Sequence, residues 1–210
     1  MLKQRIITAL VLLAVLVPAV LATDTRAFAL VCLVFVAAGA WEWARMNQCA
    51  QGPSVGMGVA LAMVCLVSML VTPPQTWLLG LWIVAGGLWV LAGAWLLAVG
   101  ASVWPRVPRV FRLVCGLFAL WVAWLAVWQA RLRGVNFLFS VLVLVWVADI
   151  CAYFAGRALG GRLFKRKLAP SISPGKTWEG ACGGMVGVLL GAFVWRALDH
   201  ALRSESASLY

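Results

Sequence analysis

The sequence predicts an all-α fold: a polytopic transmembrane helical bundle of about seven spans, N-terminus cytoplasmic, forming a single integral-membrane domain over residues 1–210. Three observations carry this. Only 11% of the residues are charged and 65% are hydrophobic, whereas an average soluble domain has roughly a quarter of its residues charged. Apolar stretches of about 20 residues, the length a helix needs to cross a bilayer, recur along the chain. These runs are continuously apolar rather than alternating, so the backbone satisfies itself in lipid as helices and not as barrel strands.

In order, spans are expected at 6–22, 27–41, 55–71, 77–99, 112–130, 135–156 and 180–198. The first follows Lys3 and Arg5 and ends near "VLATDTRA", superficially like a cleavable signal. Six further spans make it a retained helix. "TPPQT" at 72–76 and "WPRVPR" at 104–109 are proline-marked turns between spans. Trp41, Trp43, Trp77 and Trp104 lie at span ends, as an interfacial belt requires.

The formal net charge of +11 follows from the cytoplasmic bias of Lys and Arg in membrane proteins, and no nucleic-acid partner is expected. With the N-terminus inside, twelve basic residues, among them Arg45, Arg106, Arg157 and Lys176, fall on the cytoplasmic side. The other five, Arg26, Arg131, Arg133, Arg196 and Arg203, face outward. The six cysteines form no CxxC pair and mostly sit in apolar runs, so neither a disulfide framework nor a zinc site is read. His200 is the sole histidine, which leaves no histidine cluster for a metal.

In the last span, Gly183, Gly187 and Gly191 share one face, and Gly180 and Gly184 form a second pair. Small residues at this spacing let membrane helices approach closely, so these glycines are read as packing.

Only six acids are present. Asp149 lies about two turns before Arg157, below the membrane surface, where a charge costs on the order of 2.5–3.5 kcal/mol. Asp149 is therefore a functional candidate, and Tyr153 and Gly156 share its helix face. Glu42, between two tryptophans and near Arg45, reads as an interfacial anchor. Asp24, Asp199 and Glu205 read as solvated.

From Arg157 to Lys176 the chain carries Arg157, Arg162, Lys165, Arg166, Lys167 and Lys176. Such a polybasic segment attracts anionic headgroups, and equally a nucleotide triphosphate. Within it, "PGKT" is not a Walker loop, because Pro170 stands where GxxxxGK[ST] needs its first glycine. It fits a helix start, with Ser173 as N-cap, Pro174 at the first helical position, and Lys176, Thr177 and Glu179 in the first turn. A helix start with a lysine beside it is expected to cradle phosphate.

"SISPGKTWEG" followed by "GG", preceded by "LAP" and by D-x-x-A-Y-F-x-G-R at 149–157, resembles the CTP:phosphatidate cytidylyltransferases, or CDP-diacylglycerol synthases. "WEWAR" at 41–45 is similar to the family's second span. The resemblance implies a multi-pass inner-membrane enzyme that joins CTP to phosphatidic acid, giving CDP-diacylglycerol and pyrophosphate, with Mg2+ as cofactor. Its implied partners are CTP, phosphatidic acid and other membrane lipids, with a homodimer also expected. Carried over by position, Asp149, Ser171, Ser173, Lys176, Thr177 and Glu179 match the family's block. Asp149, Lys176 and Glu179 are taken as catalytic candidates, and Asp149 also as the metal ligand. Arg157, Ser171, Ser173, Lys176 and Thr177 are taken as substrate-binding candidates.

The family's C-terminal signature, which supplies metal-binding carboxylates, is not within these residues, and the sequence is expected to be a C-terminally truncated member. The alternative is a non-catalytic lipid-binding membrane protein or a transporter. A transporter would place polar residues deep in several spans and show an internal repeat. Here Asp149 is the single deep acid and no repeat is seen.

Overall fold

The computed structural model describes residues 2–71 and 74–207. Thr72 and Pro73 of the expected turn at 72–76, and the side chains of Lys3, Arg5, Arg203 and Glu205, lie outside the described residues.

Long apolar runs become helices in the order α1 (Leu2–Leu21), α2 (Thr25–Met46), α3 (Gln51–Val71), α4 (Gln75–Val99), α5 (Arg109–Leu132), α6 (Val135–Leu159) and α7 (Trp178–Ala207). A short 3-10 helix, Ala101–Arg106, occupies part of the proline-marked turn expected at 104–109. The helices α2 to α7 are long and apolar enough to cross a membrane, with α7 qualifying over Trp178–His200. The apolar part of α1, Ile6–Leu21, is shorter, so six spans rather than seven meet the length criterion among the described residues. The chain is an all-α, multi-pass membrane protein.

The chain divides into two compact units. The first comprises Met1–Val90 and Pro105–Leu138. Its buried core joins Ala29, Ala40, Leu61, Cys65, Leu78, Trp124, Leu125 and Trp128 from α2, α3, α4 and α5. Trp124 and Trp128 are thus core residues, not belt residues, and their rings lie 5.3 Å apart. The Trp124 indole N–H donates to Ala29 O at 3.0 Å, so its polar atom is satisfied inside the bundle. Asp24, expected to be merely solvated, is the N-cap of α2: its carboxylate accepts from Arg26 N at 2.8 Å. Arg131 is buried, donating to Val20 O at 2.9 Å and Ala22 O at 2.6 Å at the end of α1.

The second unit comprises Leu91–Trp104 and Phe139–Tyr210. It is organised by the seam between α6 and α7. A methyl group added to Gly180 would sit 2.9 Å from Ala152 O, and one on Gly184 3.1 Å from Ala148 O. One on Gly187 would sit 2.5 Å from Cys151 Sγ, and one on Gly183 would collide with Ala155 Cβ. Advancing along α7 thus moves backward along α6, so the two helices are antiparallel. The glycines are packing residues as expected, and the neighbour they admit is α6 of the same chain.

Candidate active site

All residues of the 149–184 block belong to the second unit, so the site can be built within it. Asp149 lies on α6, exposed, with no hydrogen bond or ion pair to a described residue. Two helical turns later Gly156 continues the same line, and a methyl there would meet Thr177 Oγ1 at 3.2 Å. Asp149 therefore flanks the α6–α7 seam on the side of Thr177. One turn beyond Asp149, the hydroxyl of Tyr153 accepts from Arg157 Nη1 at 2.9 Å. Asp149, Tyr153 and Arg157, four residues apart in turn, form a polar ridge along the last part of α6.

The start of α7 differs from expectation. The helix begins at Trp178, and its N-cap is Thr177 rather than Ser173, the hydroxyl accepting from Gly180 N at 3.1 Å. Pro174 and Lys176 precede the helix instead of opening it. The reason is local pairing. Ser173 N donates to Ala169 O at 2.8 Å, and Lys176 N donates to Ser173 O at 3.1 Å, so Ser173–Pro174–Gly175–Lys176 is a turn. Leu168 N donates to Lys176 O at 3.2 Å and Lys167 Nζ to Pro174 O at 2.6 Å, closing residues 167–176 into a self-bonded lobe. On this lobe Ser171 and Lys176 are exposed and Ser173 is half-buried. A methyl on Gly100, which has φ +78°, would meet Ser171 Oγ at 2.5 Å, so the lobe rests on the chain at the end of α4.

Glu179 is buried, at 3% exposure, in the first turn of α7. Its Oε1 accepts from Leu163 N at 3.0 Å and Phe164 N at 2.9 Å, while Oε2 is buried with no hydrogen-bond partner. A carboxylate in a first turn also complements the helix dipole. Thr177 thus caps one N–H of the helix start that was expected to cradle phosphate, while Glu179 is committed to the amides of the preceding loop. The free cationic side chains of the region, Arg162, Lys165, Arg166 and Lys176, stand exposed around it. Sequence reasoning missed the use of the Leu163 and Phe164 amides; the only signal was an apolar pair inside a basic run.

Glu42, in the first unit, is exposed. Its neighbour Arg45 stacks over Trp41 at 5.7 Å and donates to Gln51, rather than pairing with Glu42.

Among the described residues no three His, Cys, Asp or Glu side chains gather as metal ligands. A cage made wholly of protein is therefore not formed here. A single exposed carboxylate still suits Mg2+, which keeps waters and is bound through one or two carboxylates plus substrate phosphates. Asp149 is the residue of that kind, since Oε1 of Glu179 is committed to backbone amides.

The model of the cytidylyltransferase family matches residues 3–205. A phosphatidate cytidylyltransferase of Pseudomonas aeruginosa is 40% identical over 192 residues, covering 88% of this chain and 67% of the relative. Proteins of the same name from Haemophilus influenzae and Bacillus subtilis are 52% and 44% identical, each over 63 residues, covering 30% of this chain and 20% and 22% of themselves. The chain therefore spans about two thirds of the Pseudomonas relative and aligns with about a fifth of the other two. No solved structure matches. A family model that runs almost from end to end, with a relative of this identity across most of the chain, means that the chain belongs to the cytidylyltransferase family.

Proposed function

We propose that this chain is a phosphatidate cytidylyltransferase, converting CTP and phosphatidic acid to CDP-diacylglycerol and pyrophosphate in the inner membrane of a bacterium. The observation that carries the reading is the placement of the family block: a self-bonded, cationic lobe joins two antiparallel membrane helices, and the exposed carboxylate of Asp149 lies on the first of them. Phosphatidate is held in the bilayer and CTP arrives from water, so the reaction needs a cationic surface where helices leave the membrane. The charge bias of the sequence supports a cytoplasmic position for that lobe and for the N-terminus.

In the reaction an oxygen of the lipid phosphate bonds to the α-phosphorus of CTP. The bond from that phosphorus to the bridging oxygen breaks, and its electron pair leaves with pyrophosphate. Both reactants are anions, so positioning and charge neutralisation are the main tasks. Lys176 and Arg157 supply fixed positive charge, and Tyr153 orients Arg157 through its hydroxyl. Ser171, exposed on the lobe, offers a hydroxyl to a phosphate oxygen. Ser173 and Thr177 shape the turn and the helix start that carry Lys176. Glu179 acts through the backbone it holds rather than by touching substrate. Asp149 is the residue that would hold Mg2+, whose contribution when bound is to neutralise phosphate charge.

The test is to supply the purified full chain, in nanodiscs, with phosphatidic acid and radiolabelled CTP, and to measure labelled CDP-diacylglycerol. Product is expected, and Lys176→Ala is expected to lower kcat/KM for CTP on the order of tenfold or more. Binding of phosphatidic acid with no product from well-folded protein would overturn the enzymatic reading in favour of a non-catalytic lipid-binding protein.

A further inference from the structure

Large apolar side chains exposed outside the α-helices are few among the described residues. Leu163 (71%), Phe164 (46%) and Ile172 (51%) all belong to the segment between α6 and α7; Trp104 alone lies elsewhere. Residues inside spans are exposed because lipid covers them, but these three lie outside any span. Solvent-facing apolar clusters of this kind mark contact surfaces.

Their setting is specific. The backbone N–H groups of Leu163 and Phe164 turn inward to the buried Glu179, while both side chains turn outward. Phe164 lies beside Trp178, with ring centroids 6.5 Å apart, and Trp178 is itself 42% exposed at the first residue of α7. Arg162, Lys165 and Arg166 flank the apolar pair, and all three are exposed. Because α6 and α7 are antiparallel neighbours, the segment that joins them emerges where both helices leave the bilayer.

We infer that residues 162–166 form a membrane-surface anchor, with Leu163 and Phe164 inserted at the headgroup–acyl boundary and Arg162, Lys165 and Arg166 on anionic lipid headgroups. Apolar side chains among Lys and Arg are the composition of segments that lie in the interface plane, and a tryptophan beside them sits at the same level. Charge complementarity selects an anionic leaflet, with about 1 kcal/mol, or about fivefold, for each Lys or Arg near the surface. The carboxylate of Glu179 makes the anchor rigid by fixing its two central amides. This inference rests on the membrane location of the chain and not on the transferase reading, so either can fail alone.

The test uses the full chain in nanodiscs, with the photo-crosslinker p-benzoylphenylalanine replacing Phe164 and, in a second protein, Gly175. Gly175 is in the lobe that follows, and a side chain there meets nothing within 4 Å. Nanodiscs are of phosphatidylcholine alone or with phosphatidylglycerol at about 30 mol %. After illumination, mass spectrometry is expected to find lipid adducts at position 164, enriched in the anionic discs, and few at 175. The double variant Lys165→Ala/Arg166→Ala is expected to lower the ratio of docked to undocked anchor by about 25-fold. Absence of lipid adducts at 164 would overturn the inference, as would a yield indifferent to lipid charge and to the double variant. Adducts to protein alone would overturn it in favour of a protein partner. Loss of lipid adducts on adding inorganic pyrophosphate would assign the basic side chains to a soluble phosphate and likewise overturn it.

Discussion

The carboxylate of Glu179 accepts a hydrogen bond from the backbone N–H of Phe164 at 2.9 Å, tying the first turn of α7 to a loop fifteen residues earlier in the chain. The same oxygen accepts from Leu163, and the second carboxylate oxygen is buried. Removing the carboxylate leaves two amides without their acceptor. In Glu179→Ala, amide exchange of residues 162–165 is expected to accelerate on the order of tenfold or more, while the body of α7 keeps its protection. Glu179→Gln, which retains one oxygen acceptor, is expected to fall between the two. Hydrogen–deuterium exchange with mass spectrometry checks this; equal exchange in all three proteins would show that the contact does not order the loop.

The start of α7 offers a second test. Thr177 Oγ1 caps Gly180 N, and the Thr177 methyl lies 3.1 Å from where a side chain on Gly160 would begin. Thr177→Ala is expected to destabilise the protein by about 1 kcal/mol, the usual cost of losing an N-cap. Thr177→Ser keeps the acceptor and is expected to recover most of it. Ser173→Ala, by contrast, is expected to leave the helix start unchanged, since Ser173 is tied into the turn by its backbone. Thermal unfolding in detergent distinguishes these outcomes, and equal losses in Ser173→Ala and Thr177→Ala would contradict the cap assignment.

The spans were legible because bilayer thickness imposes a length that composition alone reveals: α3 and α4 end at Val71 and Val99, where the apolar runs end. The family block was legible because its residues are contiguous. The start of α7 was misplaced because two hydroxyl residues, Ser173 and Thr177, each precede an acceptable first turn, and only the pairing of Ala169 with Ser173 decides between them. The grip of Glu179 on Leu163 and Phe164 was hidden because it joins segments whose proximity no local pattern announces. The contacts of Arg131 were hidden for the same reason, as its partners lie over a hundred residues away.

The α6–α7 seam predicts opposite outcomes for glycines in like surroundings of sequence. At Gly183 a side chain would collide with Ala155, and at Gly187 it would meet Cys151, so Gly183→Val and Gly187→Val are expected to separate the helices. Overpacking of this kind typically costs about 1–3 kcal/mol, and more where backbone must move. Gly86 of α4 meets nothing within 4 Å, so Gly86→Ala is expected to be neutral or to stabilise by up to about 1 kcal/mol through helix propensity. Yield of monodisperse protein and unfolding temperature rank the three. Tolerance of Gly183→Val equal to that of Gly86→Ala would disprove the close approach.

Arg131 holds the other end of the chain in place. Its guanidinium donates to Val20 O and Ala22 O, carbonyls that α1 leaves without helical partners at its C-terminus. A cation there also complements the negative end of the helix dipole. Buried in this way, Arg131 anchors α1, whose apolar part is shorter than the other spans, to α5. Arg131→Met keeps the apolar stem but removes both donors, and is expected to cost about 2 kcal/mol, since hydrogen bonds from a charged donor are stronger than neutral ones. Arg131→Lys should restore only part, because one ammonium cannot present the paired donors of the guanidinium fork. If α1 is docked through these bonds, limited proteolysis should cut near Ala22 faster in Arg131→Met than in the parent, with cleavage elsewhere unchanged. Unaltered cleavage near Ala22 would mean that apolar packing alone secures α1.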